Sequence, residues 1–411
     1  MKELALEKNA RCSLTTPCRF KQVLYTGDHL NALWYYAIGF VVIWTLAFLF
    51  KDKLKIEMEG PLILRKTTRM RDFIDSIAQK SPKLWRWVMN VGIVVAVFLM
   101  AFIVYYLVAS LETAAVNPQV SIILPGVEIP GSQIYLPFGY GLIALISVIV
   151  IHEFGHGILA RVEKVKIKSL GVGLLAILPL AFVEPDEEEV NKLNSVSKLR
   201  IFAAGSIFNM MLAAVAIIIF FILTLFLIPN ALPASGLEIM SVVPGSPADG
   251  ILEKGMVIQT INGYSVTDRE SFSQVIQDLK IGDQVVIGTD QGTYSITTRA
   301  NPNSTSNAYI GIKSQEKHVV SKNLSSILGN SIPWVLVYLA ELFMWIFTLN
   351  FGIGLFNLLP LKPFDGGLIF EEIIGNWTSE RVTRACTYVV SIFSLSLVLI
   401  NLGYGFLAAI F

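Results

Sequence analysis

The sequence predicts a polytopic α-helical membrane protein with about six transmembrane helices, re-entrant β elements and one soluble α+β domain. Three observations carry that prediction. Of the 411 residues, 54% are hydrophobic and 15% charged, against roughly 25% charged in soluble domains. Six stretches, near 32–50, 89–110, 139–160, 199–229, 333–356 and 385–411, are apolar over the ~20 residues that a helix needs to cross a bilayer. One long segment, 230–328, instead alternates polar and apolar residues as a domain built in water does.

Taken in order, residues 1–31 form a polar tail without a short apolar core and cleavage site. No cleaved signal peptide is expected, and the first helix serves as the targeting element. Three cysteines, Cys12, Cys18 and Cys386, are too few for a disulfide framework. Cys12 and Cys18 could pair on an oxidising side or remain free thiols. Helices one to four occupy 32–229. The loop 51–88 carries ten Lys and Arg, among them Lys51, Lys53, Lys55, Arg65, Lys66, Arg69 and Arg71, which places it in the cytoplasm. The tail, 111–137, 230–328 and the C-terminus then face outward, and 161–198 and 365–384 inward. Lys2, Lys8, Arg11, Arg19 and Lys21 in the tail oppose that orientation. The amphipathic part of 60–85 either lies on the inner leaflet or covers a site.

Two segments resist a simple helix. In 119–135, Pro125 and Pro130 break any helix and the apolar residues read as short strands. In 166–184, Pro179 and paired glycines interrupt an apolar run bounded by charge. A re-entrant hairpin is expected there, because irregular backbone survives at membrane depth only where its polar groups find partners. The other reading makes both segments surface-associated loops.

The soluble domain, 230–320, reads GLEIMSVVPGSPADG, LEKGMVIQTINGYSV, a polar amphipathic stretch and GDQVVIGTDQGTYSITTRA. Short strands, a turn at Asn262–Gly263 and one helix make a compact α+β unit. Asn303-Ser304-Thr305 is a glycosylation sequon on its predicted outer side. The last two helices fill 330–411.

The chemistry concentrates in ISVIVIHEFGHGILA, residues 146–160. Four apart, His152 and His156 share one helix face and can hold one metal ion. Glu153 can act as general base toward water on that ion, the logic of zinc hydrolases. Of four histidines, the other two, His29 and His318, show no such arrangement. The alternative is a polar cluster in a helix bundle. Against it stands the cost of a carboxylate at mid-membrane, about 2.5–3.5 kcal/mol or more. A third ligand is needed, and FGIGLFNLLPLKPFDGG at 351–367 offers Asp365. By itself Asp-Gly-Gly is an ordinary turn signal; beside the histidine pair it leads the candidates. His152 precedes Arg161 by nine residues, about 14 Å of helix, so both motifs fall toward the cytoplasmic half of the bilayer.

HEFGH, NLLPLKPFDGG some 200 residues later, and the α+β domain between them resemble the site-2 protease family of intramembrane zinc metalloproteases. The resemblance implies one zinc ion per chain on His152, His156 and Asp365, with Glu153 catalytic. It also implies an asparagine in AAGSIFN, here Asn209, and a second one, Asn357, either of which could bind substrate backbone or the oxyanion or join helices. The family often has proline where this chain has Ser206. SPADG, GMVIQTINGYSV and the helix resemble a PDZ domain. Such domains add an extended peptide to a sheet edge, which would put the peptide cradle at Ser235, Gly236 and Leu237. In the family this domain is extracytoplasmic and screens transmembrane substrates already shortened by another protease, and strands near the site pair with the substrate. One PDZ-like domain and the long basic loop look like prokaryotic, particularly archaeal, members. The partners expected are thus a transmembrane protein and the lipid bilayer. A net charge of +1 without a long basic tract argues against nucleic acid. Two other functions compete. A metal-binding or transport protein needs neither Glu153 nor a peptide-binding domain. An inactive PDZ-bearing adaptor has no use for an intact HEFGH with Asp365.

Overall fold

The computed structural model describes residues 30–410 apart from 68–69, 115–117, 130–131, 133, 177 and 302–303. Cys12, Cys18, Arg69, Pro130 and Asn303, with the lysines and arginines of the tail, lie outside the described residues. The chain divides into two units, one of Met1–Ala214 with Trp345–Phe411, the other of Val215–Met344.

The first unit opens with α1 (Leu30–Leu54), the strands β1 (Glu57–Glu59) and β2 (Leu62–Thr67), and α2 (Arg71–Lys80). Then come α3 (Pro82–Ala109), α4 (Phe138–Val162), β3 (Ile167–Leu175), β4 (Leu178–Pro185), α5 (Glu187–Asn191) and α6 (Ser195–Ile222). After α6 a π-helical turn leads to α7 (Ile228–Ala231). Among the described residues, five spans are long and apolar enough to cross a membrane: Pro82–Glu112, Phe138–Val162, Ser195–Ala231, Ile332–Phe356 and Glu380–Leu407. The first expected stretch, 32–50, is also helical, as α1.

The hairpin expected in 166–184 forms as β3–β4, and the basic loop adds to it. β2 pairs antiparallel with β3 from Leu62↔Leu175 to Thr67↔Leu170, giving the order β1-β2-β3-β4. Gly171 and Gly173 permit this closeness: a Cβ there would lie 2.5 Å from Arg65 O and 2.4 Å from Ile63 O. α2 buries Ile74 and Ala78. A Cβ at Gly157 of α4 would touch Ile74 at 3.2 Å, and Arg161 pairs with Asp75. The amphipathic stretch therefore packs on α4. The strands expected in 119–135 are corrected: its described residues hold one isolated bridge, Leu124↔Val127. The reason is Pro125-Gly126, with Gly126 at φ +73°, which suits the centre of a type II turn and leaves no run long enough to pair.

The second unit carries β5 (Ala234–Val242), β6 (Val257–Ile261), β7 (Tyr264–Ser265), α8 (Arg269–Gln277), β8 (Gln284–Thr289) and β9 (Gly292–Thr297). β10 (Arg299–Asn301), β11 (Ser304–Tyr309), β12 (Ile312–His318) and α9 (Lys322–Leu328) follow. Its main sheet runs β12-β5-β6-β8-β9 over a core of Leu237, Ile239, Ile258, Ile261, Ile287 and Ile296. Asn262 and Gly263 both take positive φ, as the tight turn from β6 to β7 requires. The cradle expected at Ser235, Gly236 and Leu237 is corrected. These residues lie in β5, which pairs with β12 on one edge and β6 on the other. Leu237 is in the core, and a Cβ on Gly236 would meet Ile258 O at 2.7 Å. The outer strands of the sheet are β12 and β9. The chain then continues through α10 (Val335–Phe356), α11 (Asp365–Gly375) and α12 (Glu380–Ile410).

Candidate active site

The site grows from α4. His152 and His156, one turn apart, bring their Nε2 atoms to 3.2 Å. His156 Nδ1 lies 2.8 Å from the carbonyl of Ile201 on α6. A carbonyl only accepts, so Nδ1 carries the hydrogen there and Nε2 is directed at its partners.

Asp365 arrives from the far end of the chain as the first residue of α11, where the helix dipole favours a carboxylate. The glycines after it are dictated by packing. A Cβ on Gly366 would lie 2.1 Å from Leu358 O, and one on Gly367 2.6 Å from Lys362 N. Gly366 N–H also donates to Asn357 O at 2.9 Å. Segment 357–362 thus folds back against the first turn of α11 and fixes where Asp365 points. Its carboxylate is buried, with Oδ1 3.3 Å from His156 Nε2 and Oδ2 3.7 Å from His152 Nε2.

These distances fit a metal. Zinc bonded to N and O at about 2.0–2.2 Å in a tetrahedron separates its ligands by roughly 3.4 Å; the two Nε2 atoms stand 3.2 Å apart, and one donor atom from each of the three residues lies within 4.8 Å of the others. Two imidazole nitrogens and a carboxylate form a donor set that zinc accepts. They are the His, Cys, Asp and Glu group that could hold an ion among the described residues. The surrounding helices close on them through glycine. A Cβ on Gly205 of α6 would fall 2.4 Å from His156 Nε2 and 2.6 Å from His152 Nε2. Gly155 admits Ala204 O at 2.7 Å from its would-be Cβ, and Gly354 of α10 admits Asn209 Cβ at 3.0 Å.

Glu153 Oε2 accepts a hydrogen bond from Val183 N–H of β4 at 2.9 Å. The two asparagines part company. Asn209 is fully buried, its amide 3.4 Å from His152 Nδ1. Asn357 is partly exposed, and its side chain makes no hydrogen bond among the described residues. Ser235, Gly236 and Leu237 belong to the other unit. Sequence reasoning missed Ile201, Gly205 and Val183 and saw only helix shape in Ser206, whose hydroxyl donates to Asp365 Oδ2 at 2.8 Å. A backbone group carries no sequence signal; the departure from the family's proline at Ser206 was the one available hint.

Comparison with known proteins gives three findings. The model of peptidase family M50 matches residues 140–400. An uncharacterized protein of Methanocaldococcus jannaschii is 26% identical over 383 residues, 86% of this chain and 89% of the relative. PDZ domains of SdrC-like proteins from Listeria monocytogenes and Listeria innocua are 28% and 32% identical. They cover 20% and 19% of this chain and 87% and 92% of their own, each with a TM-score of 0.18.

Proposed function

The chain belongs to peptidase family M50, and from that premise we propose that it is an intramembrane zinc metalloendopeptidase. Its substrates would be transmembrane segments of single-span regulatory proteins. One observation carries the reading: two imidazoles and a buried carboxylate bring donor atoms within 4.8 Å of one another in and beside a membrane helix, with Glu153 next to the first of them.

His152, His156 and Asp365 would hold one zinc ion. When bound, zinc supplies a Lewis acid that brings the pKa of water to about 7. Glu153 takes the proton of the attacking water and passes it to the leaving amine, as a general base and then acid. Asn357, whose amide is unengaged, is the better placed asparagine to bind substrate carbonyl.

A transmembrane helix hides its peptide bonds in its own hydrogen bonds, so the substrate must be held extended. β4 ends its sheet. Val183 N–H points away from β3 to Glu153, and by the alternation of the ladder so does that of Ala181. Pro179 and Pro185 share this parity and have no N–H. Donation of backbone N–H from the outer edge of β4 to a substrate is therefore confined to Ala181 and Val183, beside the general base. A substrate carbonyl taking Val183 N–H would release Glu153 for its task.

The PDZ-like domain would sit outside the cytoplasm and receive the end of a substrate shortened by another protease, at the outer edge of β12 rather than at β5. The ten basic residues of 51–88 support the cytoplasmic placement of that segment, with the active site toward the same half of the bilayer.

The test pairs zinc analysis with cleavage. Purified wild type and Glu153→Gln are given a panel of single-span substrates in liposomes. Cleavage within a span by wild type alone, with one zinc per chain in both, is the expected result. Zinc without cleavage by either would favour a metal-binding protein or adaptor, and absence of zinc from both would sink the proposal.

A further inference from the structure

The three proposed ligands come from α4 and α11, yet one face of α6 stands behind each of them. Ile201 C=O meets His156 Nδ1 at 2.8 Å. Ser206 donates to Asp365 Oδ2 twice, from its hydroxyl at 2.8 Å and its amide N–H at 3.3 Å. Asn209 faces His152 Nδ1 at 3.4 Å. Positions 201, 205, 206 and 209 lie within one side of a 3.6-residue helix, and Gly205 between them brings the backbone against both imidazoles.

We propose that Ser206 and Asn209 are positioning residues that set the affinity and geometry of the metal site. Ser206 would do so by holding Asp365, Asn209 by fixing the tautomer of His152. The inference rests on reading His152, His156 and Asp365 as metal ligands.

Ser206 is fully buried, so no bulk water replaces its hydroxyl when it is removed. Both its donors converge on Oδ2 and pin the carboxylate with Oδ1 toward His156. A proline at this position would have neither donor.

The hydrogen-bond inventory around Asn209 points the same way. A His152 that offers the Nε2 lone pair to a cation keeps its hydrogen on Nδ1 and needs an acceptor there. With the amide nitrogen facing Nδ1, two donors oppose each other, and Asn209 Oδ1 is left buried without a partner. A half-turn of the amide, whose two ends differ only in N and O, gives Nδ1–H its acceptor and the oxygen its donor, and moves the NH2 to the place where the oxygen had no partner.

The experiment measures the cation rather than proteolysis. Full-length wild type, Ser206→Ala, Ser206→Thr, Asn209→Leu and Asn209→Asp are titrated with zinc against a chelator, and their cobalt-loaded absorption spectra are recorded. Ser394→Ala controls for loss of a buried serine, since Ser394 has no hydrogen-bond partner among the described residues. Ser206→Ala and Asn209→Leu should lose about 10–100-fold in affinity, as outer-shell removals do, with shifted cobalt bands. Ser206→Thr, which keeps the hydroxyl, and Asn209→Asp, which keeps only the acceptor, should stay near wild type, as should Ser394→Ala. Unchanged affinity and spectra in Ser206→Ala and Asn209→Leu would overturn the inference. So would Ser206→Thr and Asn209→Asp that bind zinc tenfold or more weakly than wild type, a comparison that stands even if a truncation fails to fold. Wild type that takes up no zinc would instead overturn the metal reading itself.

Discussion

At Gly205 one methyl group separates a closed site from an open one. Its Cβ would fall inside contact distance of both His152 and His156, and the backbone of α6 cannot back away without releasing Ser206 and Ile201 from their partners. Gly205→Ala is expected to abolish stoichiometric zinc while leaving the helical content unchanged, checked by metal analysis beside circular dichroism. Glu153→Gln should show the opposite pattern, zinc retained and cleavage gone, because Glu153 accepts from Val183 of β4 and is not one of the three residues that would hold the cation. His152, Glu153 and His156 were legible from the sequence alone, since spacing of four on a helix fixes a shared face. Asp365 was legible only in company, because Asp-Gly-Gly is a common turn until two histidines require a third ligand. The partners on α6 were not legible as partners: Ile201 contributes only a carbonyl, and Gly205 contributes an absence.

Among the elements, β4 makes the sharpest claim. Pro179 and Pro185 bracket its outward N–H groups, so Ala181→Pro would leave Val183 alone to receive a substrate. Cleavage by Ala181→Pro should fall at least tenfold with zinc content unchanged, a drop of about 1.4 kcal/mol in transition-state binding. Equal cleavage by this variant would remove β4 as the pairing edge. In the soluble domain, α8 depends on its cap. Asp268 accepts from Ser271 N–H at 2.8 Å, and Ser271 Oγ returns a bond to Asp268 N–H. The backbone and then the hydroxyl of Ser271 hold the Asp268 carboxyl below its ordinary pKa. A lowered carboxyl stabilises the fold above its unfolded pKa, and that stabilisation is lost as pH falls through the folded value. At neutral pH Asp268→Ala should cost about 1 kcal/mol, read as about fivefold faster amide exchange in α8 of the full chain. The difference from wild type should vanish in acid. The β3–β4 hairpin could be read in the sequence from a bounded apolar run with proline. β1 and β2 could not, because LILRKT sits in a basic stretch and becomes a strand only by pairing with β3 some hundred residues on. The peptide cradle was misplaced for the same reason: the local pattern put it at Ser235, Gly236 and Leu237 without revealing that these lie in β5, both of whose edges are taken.

At the scale of the membrane unit, Glu163 ties three helices together just beyond HEFGH. It follows α4, accepts from Arg86 of α3 at 3.1 Å, and from Arg200 and Ser197 of α6 at 3.0 and 2.9 Å. The carboxylate is largely buried, so its removal strands a guanidinium rather than returning it to water. Glu163→Ala should destabilise by about 3 kcal/mol and lower the thermal midpoint in detergent, with Glu163→Gln intermediate. An unchanged midpoint would reduce the cluster to surface charge. Composition and apolar run length determined by themselves that this chain is a membrane protein, since the cost of exposing polar groups to lipid leaves few alternatives. Residue spacing placed His152, Glu153 and His156 together on one helix. Only the tertiary structure decided how Asp365 comes within 3.3 Å of His156, how β2 joins the β3–β4 hairpin, and how α6 stands behind His152, His156 and Asp365. Those relations join residues about fifty or more positions apart, or run through backbone atoms and missing side chains. Contacts of that kind are set by packing, where any small residue or any carbonyl can serve, and so leave no pattern in the order of the amino acids.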